Sequence, residues 1–237
     1  MPGLLTHIAE NVAEVRGRMA AAAAEAGRRA EDVRLVAVTK YVGPDEIRAV
    51  VAAGCTDLGE SRPQQLWERA AQLRDLSVRW HMIGHMQRNK VDRTLPPVAM
   101  IHSLDSLRLA EAIDAAAGKL DGKVPVLLEV NISREPAKQG FAPEAIEPLL
   151  PQLTDLKHIE IRGLMCMAGL EGGSDEARRD FGHLRALRDR LQASYPATVR
   201  LDELSMGMSG DYEIAIQEGA TIVRIGSALF EKPEVCK

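Results

Sequence analysis

Lys40 is the residue whose type and position first point to chemistry. It follows an apolar run over residues 35–38, and Gly43 and Pro44, which indicate a helix start, come almost at once. Burying an ammonium without partners is costly, whereas a lysine at the end of a barrel strand can lose its proton and attack a carbonyl carbon. We therefore expect Lys40 to form a Schiff base; the alternative is a lysine on the rim that points to solvent.

Serine and glycine cluster in two segments that end later strand candidates. The segments are SMGMSGD (205–211) and RIGS (224–227), and their small residues are Ser205, Gly207, Ser209, Gly210, Gly226 and Ser227. Such residues at a helix start offer hydroxyl and backbone N–H groups to an anion. Barrels often hold a phosphate in the loops after their seventh and eighth strands. The segments predict a phosphate cradle, with ordinary loop glycines and caps as the alternative.

A lysine opposite a phosphate cradle fits two kinds of site, and Arg224 helps to choose between them. In a sugar-phosphate aldolase the lysine attacks substrate; in a pyridoxal phosphate site it holds the cofactor. Arg224 lies two residues before Gly226 on the same strand face, so it should point into the barrel mouth. Arginine always donates, and beside a pyridine nitrogen it would keep that nitrogen unprotonated. This pattern favours pyridoxal phosphate, since the second deep lysine typical of an aldolase is not evident.

The rest of the chain alternates strand and helix signals, which must position these residues. The strand candidates are 33–40, 55–60, 79–85, 99–105, 124–131, 159–167, 200–208 and 220–226. Helices between strands require parallel pairing, and near-continuous apolar strands suit burial on both faces. Eight such units predict an α/β protein with a single (β/α)8 TIM barrel; the alternative is a doubly wound open sheet.

The expected domain organisation is one domain over residues 1–237. Its parts are an extra N-terminal helix over about 4–28 and a barrel over about 33–230. Only a short stretch follows the eighth strand candidate, too little for a full closing helix. We therefore expect the N-terminal helix to take the place of the eighth barrel helix.

Composition limits the classes of function. The chain has a formal net charge of −4 and no basic block, so neither nucleic acid nor an anionic membrane surface is an expected partner. Cys55, Cys166 and Cys236 show no disulfide or zinc spacing. The alanine-rich N-terminus carries charges atypical of a signal peptide, and no segment reaches the roughly 20 apolar residues of a membrane span. We expect a cytoplasmic protein.

Several motifs together resemble one known family. The segment LSMGMSGDYEIAIQEGATIVRIGSALF (204–230) closely resembles the signature of the pyridoxal phosphate homeostasis proteins, also called the YggS or PROSC family. AVTK (37–40), RWHMIGHMQRNK (79–90) and KQGF (138–141) match further motifs of that family. The resemblance implies a barrel like the N-terminal domain of alanine racemase, the type III fold of pyridoxal phosphate proteins, with the cofactor on Lys40.

The resemblance also implies roles for individual residues. Ser205, Gly226 and Ser227 match phosphate contacts, Arg224 matches the arginine that faces the pyridine nitrogen, and Ser209 belongs to the same motif. Ser61 stands where the family usually has asparagine near the cofactor ring, Ser227 where threonine is common, and EKPEVCK (231–237) where glycine follows Phe230. The candidate cofactor-binding residues are Lys40, Ser61, His81, Ser205, Met206, Gly207, Ser209, Arg224, Gly226 and Ser227.

Two functions compete on this reading: a carrier of pyridoxal phosphate and a racemase-like enzyme. Racemisation on the alanine racemase plan needs the lysine and a tyrosine from a second domain on opposite faces of the imine. This chain ends at the barrel, Tyr41 adjoins Lys40, and Glu60 is the nearest candidate for a substitute base. We therefore expect a monomeric carrier, not an enzyme, which stores pyridoxal phosphate or delivers it to apo-enzymes. His81 and His85 lie four apart, but no third metal ligand is evident, and we expect no metal.

Overall fold

The computed structural model describes residues 2–169, 173–195 and 199–231, and its strands close into one barrel. The strands are β1 (Arg34–Val38), β2 (Asp57–Glu60), β3 (Arg79–Met82), β4 (Val98–Leu104), β5 (Val124–Glu129), β6 (Ile159–Met165), β7 (Glu203–Ser205) and β8 (Ile222–Ile225). Each pairs in parallel with the next along the chain, and β8 returns to pair with β1. The (β/α)8 barrel is confirmed, and the doubly wound sheet is wrong.

Helices cover the outside of the barrel. They are α1 (Pro2–Glu25), α2 (Pro44–Ala52), α3 (Pro63–Gln72), α4 (Val91–Thr94), α5 (Leu107–Ala117), α6 (Pro143–Thr154), α7 (Gly173–Ser194), α8 (Tyr212–Gln217) and α9 (Ser227–Phe230). Proline begins α2, α3 and α6, because the first helical turn has no use for the N–H that proline lacks. At the start of α2, the Gly43 N–H donates to Glu46 Oε2 over 3.1 Å, which fixes the turn after β1.

Helix α1 completes the outer layer where the last barrel helix is too short. Helix α9 has four residues, and α1 packs against α9, α8 and α2. Ile8, Val12, Val15 and Met19 of α1 are buried at helical spacing, whereas Leu5, one turn before Ile8, is exposed. The N-terminal helix therefore takes the predicted place of the eighth barrel helix.

The inside of the barrel is packed in layers. Val36, Met100, Leu127, Met165 and Ile222 form a buried cluster separate from the main core. Because side chains alternate between the two faces of a strand, residues two positions further on point into the same interior, nearer the carboxyl ends. Those positions hold Val38, His102, Glu129, Met167 and Arg224. The layer above the apolar cluster therefore contains two charged side chains and a histidine beside Val38 and Met167.

The structure also bears on membrane-spanning segments and on the cysteines. Throughout residues 2–169, 173–195 and 199–231, no helix combines the length and the apolar character needed to cross a membrane. Cys55 and Cys166 are buried free thiols. Cys236 and the unusual C-terminal residues 232–237 lie outside the part of the chain that the structure describes.

Candidate functional site

A cavity of about 810 Å³ opens at the carboxyl ends of the strands, where barrel sites are expected. Its polar and charged lining residues are Lys40, Tyr41, Ser61, His85, Glu129, Lys138, Gln139, Ser209, Arg224, Ser227 and Glu231. Its other lining residues are Val38, Val42, Ile83, Gly84, Ala137, Met167, Met208, Gly210, Gly226 and Phe230. Six of the ten candidate residues line this cavity: Lys40, Ser61, Ser209, Arg224, Gly226 and Ser227.

Lys40 reaches the cavity from a turn and not from the strand itself. Strand β1 ends at Val38, two residues earlier than predicted, and the turn is held by Arg69, which donates to the carbonyls of Thr39 and Val42 over 2.6 Å each. Lys40 is half-buried, and its Nζ lies 4.9 Å from the centre of the Tyr41 ring. Within the described part of the chain, this Nζ has no hydrogen-bond acceptor, so the amine is available to a ligand.

Lys138, from the KQGF motif, is the second lysine in the cavity, and its amine is engaged. Its Nζ donates to the Ala168 carbonyl over 2.8 Å and to Ser133 Oγ over 3.0 Å, and it lies 2.8 Å from a Glu135 carboxylate oxygen. These contacts tie the Lys138 ammonium to neighbouring oxygens. Lys40 is therefore the lysine whose amine is freer to attack a carbonyl carbon.

Arg224 lies where the alternation along β8 predicts, and it is almost completely buried. Its Nη1 donates to Ser205 Oγ over 2.7 Å and its Nη2 to the Cys166 carbonyl over 2.9 Å. Burial lowers its pKa against the raising effects of Cys166, Asp211 and Glu129. Neutral oxygens fix two of its nitrogens, and the charge remains available to an electron pair in the cavity.

Ser209 joins the loops after β7 and β8 at one wall of the cavity. Its Oγ accepts the N–H groups of Gly226 and Ala228 over 3.2 and 3.3 Å. Ser227 and Gly210 line the same cavity, and a side chain on Gly210 would meet nothing within 4 Å. The Ser209 hydroxyl therefore joins the two predicted segments, and the wall presents the hydroxyls of Ser209 and Ser227 to the cavity.

The structure places four candidate residues behind the cavity wall: His81, Ser205, Met206 and Gly207 do not line it. Ser205 is fully buried under Arg224, and Met206 belongs to the main core. Gly207 has a φ of +91°, and a Cβ there would lie 2.6 Å from Ala215 Cβ, so its role is to let the loop pack on α8. The Ser205 hydroxyl contacts Arg224 over 2.7 Å and His102 over 2.8 Å, and its predicted contact with a phosphate stays a prediction.

Ser61 lies in the cavity wall after β2, and a glycine shapes its surroundings. A Cβ on Gly84 would lie 2.4 Å from the Ser61 carbonyl oxygen. Only glycine therefore lets the loop after β3 approach Ser61, which stands where the family usually has asparagine.

The two histidines of the RWHMIGHMQRNK motif lie in different environments. His81 is buried, with Asp57 and His102 as partners, while His85 is about half exposed and pairs with Asp105 over 2.8 Å.

Glu129 is a cavity carboxyl that sequence reasoning missed, and it corrects the expectation that Glu60 is the nearest candidate base. Burial and the nearby Asp105 charge raise the pKa of Glu129 to about 7, against Arg224 and His85. The signal was available, since Glu129 is a single charge in the apolar run VPVLLEV, two residues after inward-facing Leu127.

Glu60, by contrast, is closed off from the cavity. It is fully buried, accepts the Thr39 hydroxyl over 2.5 Å and forms an ion pair with Arg69. Burial raises its pKa, against the lowering effects of Thr39 and Arg69. Its carboxylate serves the turn that carries Lys40.

Comparisons with known proteins agree with this geometry. The chain matches the family model for the alanine racemase N-terminal domain over residues 5–232. It is 40% identical over 221 residues to the pyridoxal phosphate homeostasis protein of Aquifex aeolicus, which covers 93% of this chain and 96% of that protein. The protein of that name in Pseudomonas aeruginosa is 38% identical over 226 residues, with 95% and 96% covered.

The chain is also similar to a solved structure that contains a ligand. PipY of Synechococcus elongatus, with PLP bound, superposes with a TM-score of 0.84 at 36% sequence identity. The match covers 94% of this chain and 99% of that one. The structural likeness therefore extends over nearly the whole of both chains.

Proposed function

The chain belongs to the pyridoxal phosphate homeostasis protein family, and from this membership and its cavity we propose that it holds pyridoxal 5′-phosphate as a Schiff base on Lys40, for storage or delivery in the cell. The observation that carries the proposal is the grouping, around one cavity, of a lysine amine with no hydrogen-bond acceptor among the described residues, the Arg224 guanidinium and a wall with the hydroxyls of Ser209 and Ser227. Each of these three suits a different part of the cofactor.

The donor set fits the cofactor group by group. Lys40 would meet the aldehyde carbon, because its amine has no hydrogen-bond acceptor among the residues that the structure describes. Arg224 would face the ring nitrogen, and Ser209, Gly226 and Ser227 would hold the phosphate. When bound, pyridoxal phosphate supplies an electrophilic carbon and a ring that withdraws electrons. Arg224 would leave the ring nitrogen unprotonated and so weaken that withdrawal.

A carrier accounts for this site better than an enzyme does. The relatives are named homeostasis proteins, Arg224 disfavours carbanion chemistry, and Glu60 is committed to Arg69. Glu129 is the observation that favours the alternative, a racemase-like enzyme, because its pKa of about 7 suits proton transfer. The experiments on the loaded protein must therefore separate transfer of the cofactor from turnover of amino acids.

Borohydride reduction of the loaded protein tests the covalent site. The added mass should map to the peptide that contains Lys40, and Lys40→Ala should abolish it. Lys138→Ala is the matched control, since it removes the other cavity lysine and should leave the label on Lys40. A label on Lys138, or one that survives in Lys40→Ala, would contradict the assignment.

Affinity measurements test the phosphate wall. Ser209→Ala combined with Ser227→Ala should weaken binding of pyridoxal phosphate by about tenfold or more, since a hydrogen bond to a charged group contributes about 1.5–3 kcal/mol. Pyridoxal without its phosphate should bind poorly to the unaltered protein. Equal binding of the two compounds would refute a phosphate anchor here.

Mixing experiments test the carrier role. Loaded protein should pass its cofactor to an apo-enzyme that needs pyridoxal phosphate, and it should neither racemise nor transaminate a panel of L-amino acids. Rapid turnover of one amino acid that is lost in Lys40→Ala would establish the enzyme instead. A single domain over residues 1–237, a cytoplasmic location, a monomeric state and transient binding to apo-enzymes remain predictions; light scattering in solution tests the monomer.

A further inference from the structure

A chain of buried side chains crosses the barrel interior and ends at Arg224. His81 Nε2 lies 2.8 Å from Asp57 Oδ1, and His81 Nδ1 lies 2.9 Å from His102 Nε2. His102 Nδ1 lies 2.8 Å from Ser205 Oγ, which accepts from Arg224 Nη1 over 2.7 Å. All five residues are at most 5% exposed. The chain runs from β2 through β3 and β4, across the barrel to β7, and on to β8.

The Asp57 end of the chain gives it a direction. Burial opposes ionisation of Asp57, but hydrogen bonds from His81 and Arg79 outweigh it and lower the pKa of Asp57 to about 2. An ionised carboxylate only accepts, so His81 must donate from Nε2. Arg79 already balances the Asp57 charge with two hydrogen bonds, over 2.8 and 2.5 Å. With its Nε2 hydrogen given to Asp57, His81 has Nδ1 left to face His102 Nε2.

The Arg224 end requires the same direction. Complete burial, chiefly, and the nearby Arg224 and Arg34 charges keep the pKa of His102 well below its usual range, so its imidazole is neutral. Arginine only donates, so Ser205 accepts from Arg224 and its one hydrogen goes to His102 Nδ1. The neutral His102 therefore carries its own hydrogen on Nε2 and donates it to His81 Nδ1.

We propose that Asp57 sets the direction of a hydrogen-bond relay through His81, His102 and Ser205 that positions the Arg224 guanidinium in the cavity. The four residues are positioning residues, because Arg224 alone reaches the cavity lining. The relay itself does not depend on the proposed function. Only the expectation that Arg224 meets the ring of pyridoxal phosphate rests on that function. A charged His81 would reverse the relay: both histidines would then donate toward Ser205, whose own hydrogen would lose its acceptor.

Nitrogen NMR of the cofactor-free full-length chain tests the direction. With 15N-labelled histidine, and signals assigned through His81→Gln and His102→Gln, both imidazoles should be neutral and protonated on Nε2 near neutral pH. Protonation of either ring on Nδ1, or on both nitrogens, would overturn the relay as drawn. This result does not depend on whether the chain binds pyridoxal phosphate.

A double-mutant cycle tests whether the relay positions Arg224. Ser205→Ala should weaken binding of pyridoxal phosphate about tenfold, and Asp57→Asn about threefold, since hydrogen bonds are worth about 0.5–3 kcal/mol. Because both changes act through one relay, the double variant should be no weaker than Ser205→Ala alone. Losses that multiply to about thirtyfold would show two independent structural effects and overturn the proposal.

Asp114→Asn is the matched control for this cycle. Asp114 also belongs to an Asp–His pair, with His158, but on α5 outside the barrel. The Asp114→Asn variant should leave the affinity for pyridoxal phosphate and the tautomers of His81 and His102 unchanged. An effect as large as that of Asp57→Asn would again overturn the relay. Circular dichroism verifies that each variant is folded. Failure of the unaltered chain to bind pyridoxal phosphate would instead refute the proposed function, and the tautomers would still decide the relay.

Discussion

Replacing Glu129 by glutamine should remove a pH-dependent loss of stability from the cofactor-free protein. The folded-state pKa of Glu129 is raised from 4.5 to about 7, chiefly by burial. A carboxyl whose pKa rises on folding binds more protons in the folded chain than in the unfolded one. Its contribution to stability is therefore complete below the unfolded pKa of about 4.5, and it is lost as the pH rises through about 7.

The expected magnitude follows from the two pKa values. Each pH unit is worth about 1.4 kcal/mol, so the interval from 4.5 to about 7 corresponds to about 3 kcal/mol at full ionisation. Between about pH 5.5 and pH 8.5, where the unfolded carboxyl is already mostly ionised, the loss should be about 2 kcal/mol. Glutamine has the same shape and no charge, so the variant should not show this loss.

Urea unfolding of both proteins at these two pH values measures the difference. Groups other than Glu129 titrate in both proteins and cancel when the pH dependence of the variant is subtracted. Glu144→Gln serves as the control, because Glu144 is an exposed carboxylate paired with Arg134, and it should leave the pH dependence unchanged. If Glu129→Gln and the unaltered protein lose stability equally between the two pH values, the raised pKa is refuted.

Three further substitutions address the packing around the site. Arg69→Leu should lower the free energy of unfolding by about 3–5 kcal/mol, because it leaves the Glu60 carboxylate buried without its ion pair; urea unfolding measures this. Gly207→Ala should raise the unfolding rate and lower the free energy of unfolding by about 1–3 kcal/mol. The reason is that φ at this position is +91° and Ala215 blocks the new methyl group. In Gly163→Ala the Cβ would lie 1.8 Å from a backbone oxygen on β7, so the variant should fail to yield folded protein by circular dichroism, and a normal melting curve would contradict this.

The sequence by itself determined eight alternating strand and helix units, which favoured a barrel over an open sheet, and it pointed to two principal charged residues. Apolar runs alternating with helix signals specify parallel strands, and eight of them close in chain order. Lys40 and Arg224 can be recognised from the sequence because each is a charge near the carboxyl end of an apolar strand. The alternation of side chains along a strand then shows which face such a position belongs to. Periodicity is a local property, so it can be read from consecutive residues. The same reasoning applied to Glu129 would have found it too.

Only the tertiary structure decided what these residues contact. Ser205 has the residue type and position of a phosphate ligand, yet closure of the barrel places it 2.8 Å from His102, which is 103 residues earlier in the chain. Lys138 and Lys40 have the same chemistry, and what separates them is the set of oxygens around each Nζ. The Ser205–His102 contact joins strands on opposite sides of the barrel, the Lys138–Ala168 contact joins two loops, and the electrostatic environment of a buried group depends on all such contacts together. A sequence pattern has no access to either, because both depend on distances that exist only after the sheet has closed.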